Sequence, residues 1–247
     1  MTTTVTVTIN ALALGSCPIG CRDFNGSTDR ISWNNSPMDI DIWIAAGDPI
    51  TISAWVYLDL TLSVNDMDVL NISSGSNNDE CITLQTLSSA SVKFIRLGET
   101  SLYKKNSCAS LTAGWHHIAV THDGDFADYT HIKLYVDGVL RVTGESGSNG
   151  DGEVDTGNIL SLGGYSIDGH NLDGKICQVG VWNKVLTAGD VTNLAAGDSP
   201  YYIENANLVY YFEGNTTSLW ADPPDLNGQA DGTTWLPIGP DIIYEAP

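Results

Sequence analysis

Basic residues are scarce in this chain. Lysine and arginine number 10 against 30 aspartates and glutamates in 247 residues, giving a formal charge of −20. A field of that sign repels phosphate backbones and anionic bilayers, which excludes nucleic-acid binding through phosphate contacts. It suits cations, basic partners or Ca2+, and it serves solubility equally well. Long apolar runs are missing too: no stretch approaches the ~20 residues that a membrane helix needs. The first residues, MTTTVTVTINALALG, carry no lysine or arginine. Their apolar positions Val5, Val7 and Ile9 alternate, so the segment predicts a strand rather than a secretory leader.

Catalytic signatures are also lacking. There is no nucleophile elbow, phosphate loop or HExxH pattern. Glu153-Val154-Asp155 offers two carboxylates, but its loop is flanked by glycines. Retaining glycosidases hold their pair ~5 Å apart, which such a loop does not do, so the expectation is a protein without enzymatic activity. His116 and His117 are neighbours on a predicted strand, point to opposite faces and cannot share a metal. The expectation is a structural, hydrogen-bonded role. Five cysteines leave an odd one: Cys17, Cys21, Cys81, Cys108 and Cys177. Cys17 to Cys21 lacks the redox spacing and has no second half for a zinc site. Cys81 and Cys108 flank a predicted antiparallel pair and could bridge; buried free thiols are the default expectation.

What is present centres on Gly114 to Gly144, GWHHIAVTHDGDFADYTHIKLYVDGVLRVTG. Trp115 to His122 is aromatic, β-branched and alternating, and predicts a strand. Thr130 to Val136 predicts a second and Val139 to Thr143 a third. Asp137-Gly138 between them is a two-residue type I′ turn signal, pairing Val136 with Val139 and Leu134 with Arg141. One face then carries Ile132, Leu134, Val136 and Val139, the other Lys133, Tyr135, Leu140 and Val142. Neither face is fully polar, which predicts a hairpin inside a sheet that is covered on one side and packs or binds on the other. Ile50 to Leu58, Cys81 to Leu87, Val92 to Leu97, Asn158 to Gly163, Ile176 to Trp182 and Asn207 to Gly214 predict further strands. Asp39 to Ile44 alternates strictly, placing Trp43 outward beside acids, as a contact residue or one covered by a neighbouring segment. Thr187 to Ala196 predicts the one helix, with Thr187 as cap, Asp190 at the third position and Gly197 past the end.

These segments, in this order, resemble the laminin G-like and pentraxin-like group of concanavalin A-type sandwiches. The resemblance rests on Trp115-His116-His117-Ile118-Ala119-Val120-Thr121 and on the strand and turn from Ile132 to Leu140. It rests also on Phe24 to Asp29, on Ile52 to Val56, and on Leu172 to Ile176 running through Trp182 to Leu186. It implies an all-β fold, an antiparallel jelly-roll β-sandwich with one short helix. The expected organisation is an N-terminal strand extension (1–20), the sandwich (21–197) and a C-terminal part (198–247) that completes or extends it. By the same resemblance Ca2+ would sit on Asp79, Glu80, Asp168 and Asn171, oxygen ligands on loops. The pair that bridges in pentraxin relatives is replaced here by Ala54 and Ala119. Trp43, Tyr103, Tyr129 and Tyr165 are the expected ligand contacts, because lectins stack sugar rings on aromatics. The implied role is recognition of a glycan or cell-surface polysaccharide, or coating of a virion as a decoration or fibre-associated protein against capsid or fibre subunits. A secreted bacterial adhesion module is the alternative and a glycoside hydrolase relative the minor one. The expected setting is the virion or the cell exterior, reached by lysis or from a trimmed chain, since no export signal is visible. A homo-oligomer fits this role.

Overall fold

In a computed structural model, the structure describes residues 21–34, 48–58, 67–73, 81–87, 91–97, 103–109, 111–125, 129–141, 145–147, 159–164, 170–212, 229–231 and 234–236. Sixteen strands and one α-helix are formed among them. The first eight are β1 (Cys21–Asn25), β2 (Arg30–Asn34), β3 (Ile50–Leu58), β4 (Met67–Ser73), β5 (Cys81–Leu87), β6 (Ser91–Leu97), β7 (Tyr103–Ala109) and β8 (Gly114–His122). Then follow β9 (Ile132–Val136), β10 (Val139–Leu140), β11 (Glu145–Gly147), β12 (Ile159–Leu162), β13 (Asp173–Trp182), α1 (Ala188–Ala195), β14 (Leu208–Phe212), β15 (Gln229–Asp231) and β16 (Thr234–Leu236). They make two antiparallel sheets. The first runs β10-β9-β8-β3-β13-β1-β16, with β14 also on β13; the second runs β11-β7-β6-β5-β4-β12-β2-β15. The fold is the expected concanavalin A-type jelly-roll sandwich.

Alternation decides which side chains fill the space between the sheets. On β3, Ile50, Ile52, Ala54, Val56 and Leu58 enter the core, and they meet Leu70, Ile72, Ile82, Leu84, Leu160 and Leu162 from the second sheet. The intervening residues of β3 face outward, and there the first sheet is covered again. Helix α1 lays Val191 and Leu194 on Ala119, Tyr135 and Trp182. The Trp55 indole donates to Leu194 O, and the Trp182 indole to Ile203 O. The helix start is as the sequence predicts: Thr187 and Asp190 form a reciprocal capping box.

The hairpin has the predicted turn and register, with Asp137 and Gly138 both at positive φ and Val139 opposite Val136. Four expectations change. The strand before the turn starts at Ile132, after a 3-10 turn over Tyr129–His131. The return strand is only Val139–Leu140 and forms the sheet edge, with both side chains about half exposed rather than inside the sheet. Register also removes the Cys81–Cys108 bridge, because Cys81 lies opposite Leu97 and Cys108 opposite Val92, at opposite ends of strands two apart. The expectation of free thiols holds at Cys21, which is buried and free, and fails at Cys177, which is disulfide-bonded.

Candidate functional site

The second sheet carries polar side chains on the face away from the core. On β4 and β5, Asn71 sits between the core residues Leu70 and Ile72, and Thr83 between Ile82 and Leu84. Ser161 of β12 continues the row beside Asn71. A register shift between Asp68 and Leu70 brings Asp68 opposite Gln85. Asn71 Nδ2 donates to Thr83 Oγ1 at 2.9 Å, and Gln85 Nε2 donates to Asp68 Oδ1 at 2.5 Å. Both amides are thereby oriented with their oxygens unspent. Asn71 Oδ1, Gln85 Oε1 and Ser161 Oγ are buried without a hydrogen-bond partner. A buried polar atom left so costs about 1–3 kcal/mol, and Asn71, Gln85 and Ser161 are only 4%, 5% and 1% exposed, so the row is covered.

Loops tie off one end of this face. Asn25 Oδ1 accepts from the amides of Ser27, Thr28 and Asp29 at 2.9, 2.9 and 3.2 Å, which shapes the turn after β1. Gly26 N donates to Leu172 O, Leu172 N to Gly163 O, Gly163 N to Val69 O, and Asp68 N to His170 O. The two glycines after β12 are required: a Cβ on Gly163 would lie 2.2 Å from the Phe24 ring, and one on Gly164 2.3 Å from Asn171 Oδ1.

Of the expected calcium ligands, Asn171 is placed here. Its Nδ2 donates to Ser27 O at 2.6 Å, which turns its Oδ1 toward Gly164. Asp79, Glu80 and Asp168 lie outside the described residues, as do the expected contacts Trp43 and Tyr165 and the carboxylates Glu153 and Asp155. Tyr103 opens β7 opposite Leu97, and Tyr129 opens the 3-10 turn before β9; their side chains are not among those described. Among the described residues, no group of three or more His, Cys, Asp or Glu side chains is arranged to hold a metal. The polar row is a feature that sequence reasoning missed. Its signal is there in the alternation Leu70-Asn71-Ile72, in a stretch to which the sequence reading assigns no element, and in Ile82-Thr83-Leu84-Gln85, which reads only as strand.

The histidines have structural places. His116 Nδ1 donates to Asp137 Oδ2 at 2.9 Å and its Nε2 faces Thr112, while Asp137 Oδ1 accepts from His117 N at 3.0 Å. The Asp137 hydrogen bond raises the His116 pKa against the effect of burial. Burial works against the Asp137 carboxylate, but its bonds to His116 and the His117 amide hold its pKa below the ordinary value. His117 faces the helix side, shares a 2.8 Å hydrogen bond with Ser53 Oγ and meets the Trp55 ring edge-on. Burial pulls its pKa down to about 4, with Asp137 opposing. On the neighbouring loop His131 Nδ1 donates to Asp123 Oδ2 at 2.8 Å.

Solved structures with this fold include the native heptameric SAP-like pentraxin of Limulus polyphemus. It is 14% identical at a TM-score of 0.58, over 89% of this chain and 95% of that one. A carbohydrate-binding protein candidate from Bacteroides ovatus is 18% identical at a TM-score of 0.60, over 90% of this chain and 61% of that longer one. The CBM40 of a Ruminococcus gnavus IT-sialidase, solved with α2,3-sialyllactose, is 15% identical at a TM-score of 0.51, over 70% of this chain and 97% of its own. No curated protein sequence matches. The profile of the Laminin_G_3 family fits residues 6–192, spanning the hairpin, all strands of the two sheets but β14, β15 and β16, and the start of the helix, and the chain belongs to that family of the concanavalin A-like lectin/glucanases superfamily.

Proposed function

We propose that the protein is a non-enzymatic glycan-recognition module, and that the outer face of the second sheet is its binding surface. The observation that carries this is the set of unpartnered acceptors Asn71 Oδ1, Gln85 Oε1 and Ser161 Oγ on one strand row. These side chains are 1–5% exposed, so a polyol that displaces what covers them supplies hydroxyl donors to the row, and the amides are already held in orientation by Thr83 and Asp68. The binding modules among structures of like fold agree with this reading. Ca2+ belongs to it: Asn171, anchored through Nδ2, keeps the amide oxygen that a hard cation takes, and Asp79, Glu80 and Asp168 would supply charge. The setting is the exterior of a cell or a virion surface. The disulfide at Cys177 supports an oxidising compartment.

A glycan array probed with and without EDTA tests the reading, with the Ser161→Ala variant beside the parent. Ser161 Oγ is buried and unpartnered, so alanine should leave the melting midpoint unchanged or raise it. The same change should weaken glycan binding by about tenfold, the value of a hydrogen bond worth ~1 kcal/mol or slightly more. EDTA, and Asp79→Asn with Asp168→Asn, should weaken binding further. No binding by the parent to any glycan, or full binding by Ser161→Ala, would overturn the assignment.

A further inference from the structure

On the opposite exterior, the segment after α1 displays a pair of tyrosines. Tyr201 and Tyr202 are 49% and 57% exposed, the most exposed aromatic side chains among the described residues. Their rings meet edge to face, with centroids 5.3 Å apart at 84°, and Tyr201 lies 6.3 Å from Tyr211 of β14. Single exposed aromatics are ordinary, but rings on a rigid mount are not. Hydrogen bonds and a proline tie down the backbone beneath this pair. Ser199 Oγ accepts from Tyr201 N at 3.3 Å and bonds Tyr211 Oη at 3.0 Å. Pro200 follows as the first residue of the 3-10 turn, and Ile203 N closes it on Pro200 O at 3.1 Å. Asn205 Nδ2 donates to Tyr201 O at 2.9 Å. Beneath, Pro200 fills the space over Gly180 of β13, where a Cβ would lie 2.9 Å from the proline Cβ. The Trp182 indole holds Ile203 O at 2.8 Å.

From this geometry we infer that Tyr201, Tyr202 and the edge of Tyr211 form a second carbohydrate platform, for uncharged pyranose chains. A ring face packs on the apolar C–H face of a pyranose. Two rings held nearly perpendicular offer a face and an edge, which fits consecutive sugar units better than a flat protein surface. The surroundings select the class. The exposed Asp198 flanks the pair in a chain of net charge −20, while the nearby Glu204 is offset by Lys184 at 2.7 Å, so the field of the whole chain disfavours sialylated or uronic chains. The platform lies beyond residue 192, outside the stretch matched by the family profile. It also lies on the first sheet's exterior, away from the Ser161 row, so the two surfaces fail or stand separately.

Affinity electrophoresis in gels containing galactomannan, yeast mannan, a soluble glucan or hyaluronan tests this. The expected result is retardation by at least one uncharged polysaccharide and none by hyaluronan. Removing either ring, in Tyr201→Ala or Tyr202→Ala, should weaken the retarding affinity by about tenfold. Tyr201→Phe and Tyr202→Phe, which keep the ring, should retain most of it. All four variants should keep the parent's melting midpoint within a few degrees, because the rings are exposed. The platform is overturned if no uncharged polysaccharide retards the parent, or if the alanine variants run as the parent does. It is overturned in favour of a protein interface if the alanine variants change only self-association in sedimentation. Loss in Ser161→Ala with no loss in the tyrosine variants would leave the sheet-face reading standing and remove this one.

Discussion

Two adjacent histidines on β8 pull stability in opposite directions with pH. His116, with its pKa raised by Asp137, contributes stability that is complete below the unfolded value near 6.5 and fades as pH rises through the folded one. His117 has a folded value of about 4, so the unfolded chain takes up its proton first. Its contribution is complete above pH 6.5 and is lost as pH falls toward 4. Asp137, with a depressed value, adds a further loss at the acid end, as pH falls through its folded pKa. The His117 term wins between pH 4 and 6.5, because its ring is fully buried against Ser53 and Trp55 while Asp137 is partly open. Urea unfolding followed from pH 4 to 8 should therefore show stability climbing with pH by up to about 3 kcal/mol over the lower part of the range. His117→Gln should flatten that climb relative to the parent. Equal slopes in parent and variant would place the acid sensitivity elsewhere.

At the scale of elements, the β9–β10 turn is fixed twice. Gly138 has φ +74, and a Cβ there would come within 3.1 Å of Ala195 Cβ and 3.4 Å of Thr192 Cα on α1. Gly138→Val should thus cost more than the ~1 kcal/mol of backbone strain alone, and Gly138→Ala should also exceed it. A melting midpoint unchanged in the alanine variant would mean that the hairpin and helix do not press on one another. The strain half of this prediction was readable from Asp-Gly between two strand patterns, as was the helix start from Thr187 and Asp190, because both obey rules that reach only three or four residues. The contact half was not readable. That α1 lies across the outer face of the first sheet depends on Trp55 and Trp182 reaching backbone carbonyls 139 and 21 residues away. The polar row on the second sheet failed for a related reason: Asn71, Thr83 and Ser161 look like surface positions singly, and become a row only through pairing of β12, β4 and β5. Cys177 escaped too, since no spacing rule identifies a bridge between residues distant in sequence.

Over the whole molecule, excess negative charge is the common term. Lys175 pairs with Asp23 at 2.9 Å and Lys184 with Glu204 at 2.7 Å, but a chain with 10 basic and 30 acidic side chains carries a large excess of negative charge. Its self-repulsion opposes the compact state and is screened within ~8 Å at physiological ionic strength. Raising NaCl from ~10 mM to ~500 mM, where screening shortens further, should lift the melting midpoint by several degrees. A midpoint that falls with salt would mean that attractive pairs dominate instead. The strand order has a different consequence, one of timing. β1 and β2 lie between later strands: β1 between β13 and β16, β2 between β12 and β15. On a ribosome adding about 5–20 residues per second, the last of these partners emerges roughly 200 residues after β2, a delay of about 10–40 s. The first of them, β12, follows β2 by roughly 125 residues, about 6–25 s, and until then the earliest segments of the sandwich have no sheet partner, so a nascent chain depends on other proteins, or on the slowness of its own collapse, to reach its second sheet intact.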